Sequence, residues 1–151
     1  MGSKAATDNE ALYNRDFYAW TVQTAERIRQ GRFVDLAREA LAEEVEDMGK
    51  RDYRQVRALL MPLILHLLKW GYQGERRSRS WKSSVIKQRL RLTGILADSA
   101  SLRAKAIQGL DQTYRSAVKL AAVETGIDED KFPERCPFEF DQLLDNDYWP
   151  G

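Results

Sequence analysis

His66 is the only histidine in the chain, and it sits in an apolar run between two charged neighbourhoods. Upstream lies an acidic stretch, Glu43, Glu44, Glu46 and Asp47; downstream lie Trp70 and the cluster Arg76, Arg77, Arg79 and Trp81. A titratable ring flanked by carboxylates and guanidinium groups has three possible chemistries. It can hold a metal, serve as a general base, or belong to a structural ion network.

Metal binding would draw on Glu43 and Asp47, four apart on one helical face, with Glu44 and His66 beside them. Di-metal sites in helical bundles use a Glu-x-x-His pair on each of two helices, and a single histidine cannot supply that. No metal is therefore expected, and no cofactor motif is present. A hydrolytic or metal-assisted enzyme using His66 with Glu43, Glu44 and Asp47 stays open as an alternative. Ser78, Ser80, Ser83 and Ser84 lie near the arginines, but no Gly-x-Ser-x-Gly turn surrounds them. Arg57 and His66 are too far apart for the Arg–His pair of small helical ribonucleases. Cys136 precedes a proline with no helix N-terminus upstream to lower its pKa, which points to an inert thiol.

A basic segment, Arg77, Arg79, Lys82, Lys87, Arg89 and Arg91, runs without an intervening acid and contains Trp81. Such a stripe can neutralise phosphates while an indole stacks on a base. The competing use is internal. Glu44 falls on the line Ala37, Leu41, Met48 at the edge of an apolar stripe, where a carboxylate needs a partner. Glu44, and with it Asp47, is expected to meet Arg76, Arg77 or Arg79, with His66 nearby. Glu43, Glu44, Asp47, His66, Trp70, Arg76, Arg77, Arg79 and Trp81 form the candidate functional cluster.

These residues must be positioned by helices, because helical periodicity dominates the chain. Asp16 to Gln30 reads as a helix burying Phe17, Trp20, Thr24 and Ile28, stopped by Gly31. Asp35 is the expected N-cap of the acidic helix, whose stripe is Ala37, Leu41, Val45 and Met48, and Gly49 ends or bends it. Lys50 to Trp70 is apolar nearly all round and should be central, with a kink at Pro62. A fourth helix follows Ser80, its stripe being Trp81, Val85, Leu92 and Leu96. A fifth runs from Leu102 through Ala121 to a stop at Thr125-Gly126-Ile127. The remainder is an acidic, partly irregular tail with a short helix at Phe140 to Leu144. The fold class is all-α, an irregular bundle of about five helices. Residues 1–11 read as a disordered or tag-like N-terminus and 12–150 as a single helical domain.

Several ordered blocks resemble the bacterial domain of unknown function 29 family. They are Tyr13-Asn14-Arg15-Asp16-Phe17-Tyr18-Ala19-Trp20-Thr21, Leu41 to Gly49, His66-Leu67-Leu68-Lys69-Trp70 and Glu75 to Trp81. Glu124-Thr125-Gly126, Phe132 to Pro137 and Gln142-Leu143-Leu144-Asp145 continue the likeness. It implies an all-helical bacterial protein and carries no activity with it. Glu139 departs from the threonine often found before the last short helix.

Composition narrows the class further. The 151 residues are 43% hydrophobic and 31% charged, with 24 basic and 23 acidic residues giving a net charge of +1. A general polyanion binder is not expected from so balanced a sum. One cysteine excludes an intrachain disulfide and a cysteine-clustered zinc site. The apolar run Ala58 to Leu68 is too short to cross a bilayer, and Met1 to Glu10 has no apolar signal region. A cytoplasmic location and no membrane partner are expected. The sequence favours a non-enzymatic binding or interaction module with a protein partner, with nucleic acid as the second choice.

Overall fold

A computed structural model describes residues 3–151. Among these residues there are seven α-helices and no strand. They are α1 (Lys4–Arg15), α2 (Phe17–Arg29), α3 (Arg38–Tyr72), α4 (Arg79–Leu96), α5 (Ala100–Gln108), α6 (Leu110–Thr125) and α7 (Phe140–Leu144). The chain divides into two compact units, Met1–Lys50 and Arg51–Gly151.

The first unit begins with a helix where no order was expected. Ser3 caps α1 by accepting from the Ala6 amide, and α1 carries the buried Ala6 and Asn9. Asp16 alone joins α1 to α2: its backbone is extended and its carboxylate accepts from the Ala19 amide. A single-residue corner of this kind folds two helices back on each other. The small apolar core consists of Trp20, Ala37 and Ala40, with Leu12, Tyr13 and Leu41 packed against it.

Asn9 ties these elements together. Its Oδ1 accepts from Trp20 Nε1 at 3.1 Å and from the Ala37 amide at 2.9 Å. Its Nδ2 donates to Gln23 Oε1 at 2.9 Å and to Thr24 Oγ1 at 3.2 Å. One fully buried amide thus has four partners, its whole capacity, on α2 and the start of α3. Arg27 adds a second tie by donating to the Ala5 and Asp35 carbonyls. Asp35 is not the helix cap that was expected. It lies in a 3-10 turn, Phe33–Asp35, and accepts from Ser3 and Arg32, while Asn9 takes the Ala37 amide.

Helix α3 passes through both Gly49 and Pro62, so the two separate helices expected here are one. An interior glycine costs only about 1 kcal/mol against alanine, and the good helix formers on either side outweigh it. In the second unit α3 buries Val56, Leu60, Leu63, Ile64, Leu67 and Leu68. Against them pack Val85, Leu92 and Leu96 of α4 and Tyr114, Ala117 and Ala121 of α6. The expected fifth helix is two, α5 and α6, separated at Gly109. A Cβ there would lie 2.3 Å from the Tyr53 hydroxyl, so close approach of Tyr53 requires glycine. Gly126 ends α6 at φ 73°, as its position after Thr125 implied.

The segment after Thr125 belongs to the core. Phe132, Phe138, Phe140 and Leu143 are all buried, and Tyr114 donates to the Pro133 carbonyl at 2.6 Å. Replacing Asn9 with leucine keeps the branched shape but leaves the Trp20 and Ala37 N–H groups without an acceptor. Unfolding in urea should show a loss of about 2–4 kcal/mol. An unchanged transition midpoint would contradict the role given to Asn9.

Candidate functional site

The acidic part of the predicted cluster lies in the first unit. Glu43 is exposed, while Asp47 pairs loosely with Lys50 at 3.9 Å. Glu44 has a partner, but not an arginine: Tyr13 donates its hydroxyl to Glu44 Oε1 at 2.7 Å. The arginines expected as its partners, Arg76, Arg77 and Arg79, belong to the second unit, and within its own unit Glu44 is held by Tyr13. Tyr13 is held by edge contacts with Phe17 and Trp20, centroids 5.9 and 4.8 Å away, and so presents its hydroxyl to α3. Ionisation would remove that bond and set two negative charges side by side, so Glu44 pushes Tyr13 up to about 12, burial and the Glu43 and Asp47 charges adding to the effect.

The remaining cluster residues lie in the second unit. His66 Nδ1 is 2.7 Å from the Pro62 carbonyl. A carbonyl only accepts, so Nδ1 is the donor in this contact. Trp70 packs on Trp149, centroids 4.5 Å apart, and Arg77 stands 5.0 Å over the Trp70 ring. Arg77 donates to the carbonyls of Trp70 and Gly151. Lys69 lies over Trp81 at 4.6 Å and pairs with Glu124 at 3.7 Å. Helix α4 is capped by Ser78 rather than by Ser80.

The basic segment divides by burial. Arg76, Arg77, Arg79, Lys82, Lys87 and Arg91 are exposed, and none of them has an ion pair among the described residues. Arg89 is 0% exposed and cannot meet a phosphate, which corrects its place in the nucleic-acid stripe. Its Nε donates to the Leu143 carbonyl at 2.8 Å, and its Nη2 to Gln142 at 3.1 Å and Tyr148 at 2.9 Å. The first two acceptors lie at the C-terminal end of α7, where carbonyls carry partial negative charge; the Gln142 carbonyl also accepts from the Asp145 amide at 3.3 Å. Burial pushes the Arg89 pKa down, opposed by the Asp145 and Tyr148 charges. Its Nη1 and the neighbouring Gln88 Oε1 are buried with no partner among the described residues.

Arg89 follows Val85 by four residues and precedes Leu92 by three, so the apolar stripe of α4 already contained it. Asn9 and Trp149 carried no comparable signal, the first lying in a polar segment and the second in the tail. Among the described residues no three His, Cys, Asp or Glu side chains gather as metal ligands. Burial pushes the Cys136 thiol up to about 11, so it stays protonated near neutral pH. No helix among these residues is long and apolar enough to cross a membrane.

An all-helical chain with this block order defines a class that comparison makes explicit. The chain belongs to the family described as Domain of unknown function DUF29, which matches residues 12–149. No curated protein and no solved structure matches it.

The Tyr13–Glu44 pair has a pH signature. Because the folded-state pKa of Tyr13 is raised, its stabilisation is complete below the ordinary tyrosine value of about 10. It is lost as pH rises through about 12. Ultraviolet titration of tyrosinate should show one group moving back toward the ordinary value in Glu44→Gln. Superimposable curves for variant and wild type would exclude the interaction.

Proposed function

We propose that this protein is a non-enzymatic helical interaction module that binds a protein partner through its first unit. The supporting observation is a set of apolar side chains on α2 and α3 that should be core and are instead open. Phe17, Ile28, Val45 and Met48, all placed by periodicity on buried faces, are 41–55% exposed. Tyr18, Phe33 and Val34 are more exposed still, at 79%, 64% and 78%. Monomeric proteins rarely leave so much apolar surface in so few residues without a use for it.

Two grooves give that surface shape. One, of about 520 Å³, runs between α1 and the 3-10 turn and is lined by Ala6, Thr7, Phe33, Val34 and Leu36. The other, of about 530 Å³, follows α2 past Tyr18, Ala19 and Val22, with Glu26, Arg27 and Gln30 at its polar margin. Aromatic anchors inside a polar rim are the usual arrangement of a protein-binding patch.

A second reading has its own support. Helix α4 contains no acid, and Arg79, Lys87 and Arg91 recur on its exposed side. That face suits phosphates. Anisotropy titration with short RNA and DNA at low and near-physiological salt decides it. Salt-steep binding lost in Arg79→Ala/Arg91→Ala supports a nucleic-acid surface, and no binding at low salt removes it.

The protein-partner reading is tested by a photo-reactive phenylalanine at Tyr18 or at Val34, irradiated in intact cells. Adducts of discrete mass are expected at both positions, with Val22→Glu abolishing the one at position 18. Uncrosslinked chain alone at both positions would contradict the proposal.

A further inference from the structure

The segment Asp145–Gly151 is held in the second unit much as a bound peptide would be. Its Trp149 indole lies 4.5 Å from Trp70, with Arg89 5.3 Å and Lys82 5.9 Å from the ring centre. Its backbone is gripped twice, the Tyr148 carbonyl by Arg89 at 2.9 Å and the Gly151 carbonyl by Arg77 at 3.2 Å. Pro150 packs beside Gly71, where a Cβ would lie in ordinary contact with it at 3.6 Å. Each contact recognises an indole, a proline ring or a main-chain carbonyl. None depends on the covalent link to α7.

Charge and burial define the kind of occupant. Arg77 and Lys82 are exposed and lack carboxylate partners among the described residues, whereas the segment itself carries the exposed Asp145 and Asp147. Arg89 keeps one buried N–H, at Nη1, without an acceptor. Tyr148, Trp149 and Pro150 are only partly buried, so releasing them exposes little core. Arg89 would keep its two bonds to α7.

We propose that this seat between the end of α3 and α4 is a peptide-binding site whose resident occupant is Asp145–Gly151. Its ligand in trans is an acidic, tryptophan-bearing segment of a partner protein, which takes the Trp149 position and displaces the resident. This rests on the interaction-module reading and adds a second contact point to it. A tethered segment competes at an effective concentration on the order of millimolar, so the wild-type seat is closed to weak peptides and opens when Trp149 is lost.

The test uses a fluorescent synthetic peptide of residues 145–151, blocked at both ends, titrated against full-length protein. Trp149→Ala should bind it at least about tenfold more tightly than wild type, about 1.4 kcal/mol. Adding Arg77→Ala should abolish the gain, as should a peptide in which alanine replaces the tryptophan. Circular dichroism melting checks folding, and Trp149→Tyr serves if the alanine variant melts early. Equal binding by folded variant and wild type, or none to either, overturns the proposal. A doubled mass in light scattering with no peptide uptake also overturns it, by showing the seat to serve a second copy. If crosslinking through Tyr18 and Val34 succeeds while the peptide fails, only the groove is lost and the interaction module stands.

Discussion

A guanidinium with no access to water must find acceptors or destabilise the fold around it. Arg89 is in that position, and the second unit is arranged to meet its demand. Moving such a charge out of water costs on the order of several kcal/mol even after relaxation. The return comes from three main-chain carbonyls, and hydrogen bonds to charged groups are worth about 1.5–3 kcal/mol each. The Leu143 carbonyl is left free by a five-residue helix, and the Gln142 carbonyl shares its Asp145 bond with Arg89. Arg89 therefore does two jobs: it is neutralised by the end of α7, and it fastens α7 and Tyr148 to α4. Phe138, Phe140 and Leu143 can then complete the core.

The first unit solves a related problem with a neutral group. Its core cluster of Trp20, Ala37 and Ala40, with Ala6 and Leu36 also buried, is too small to specify how two helices and a turn meet. The Asn9 amide supplies direction in place of bulk, because its two donors and two acceptor sites admit one arrangement of partners. Arg27 and Ser3 extend the same logic to the turn. A unit held by directional polar bonds can leave apolar side chains on its outside, and Tyr18, Phe33 and Val34 are there.

Much of this was legible in the residues. Periodicity correctly placed α2, α4 and the buried face of α3 beyond residue 55, while the stripe expected earlier in α3 is open at Val45 and Met48; Gly126 ends α6 where expected. The misses have physical causes. Gly49 has weak breaking power beside a long run of helix formers, so α3 continued. Gly109 was overlooked because its necessity comes from Tyr53, distant in sequence. Lys4–Arg15 carries few apolar residues, and its order depends on Asn9 reaching residues 11 to 28 positions away. For the site, composition identified the arginines but not their partners. Glu44 was rightly judged to need one, yet a tyrosine hydroxyl supplied it. Arg89 stands among charged neighbours in the sequence, whereas its spacing to Val85 and Leu92 puts it on the buried stripe of α4.

The central claim is that Arg89 holds the segment from α7 to Tyr148 by its carbonyls. Hydrogen–deuterium exchange across residues 138–151, comparing wild type with Arg89→Met, tests it most directly. The account predicts that the amides of α7 and the Tyr148–Trp149 region lose protection in the variant while those of α3 and α6 keep theirs. Unchanged protection across residues 138–151 would contradict it and assign the order of that segment to its apolar contacts alone.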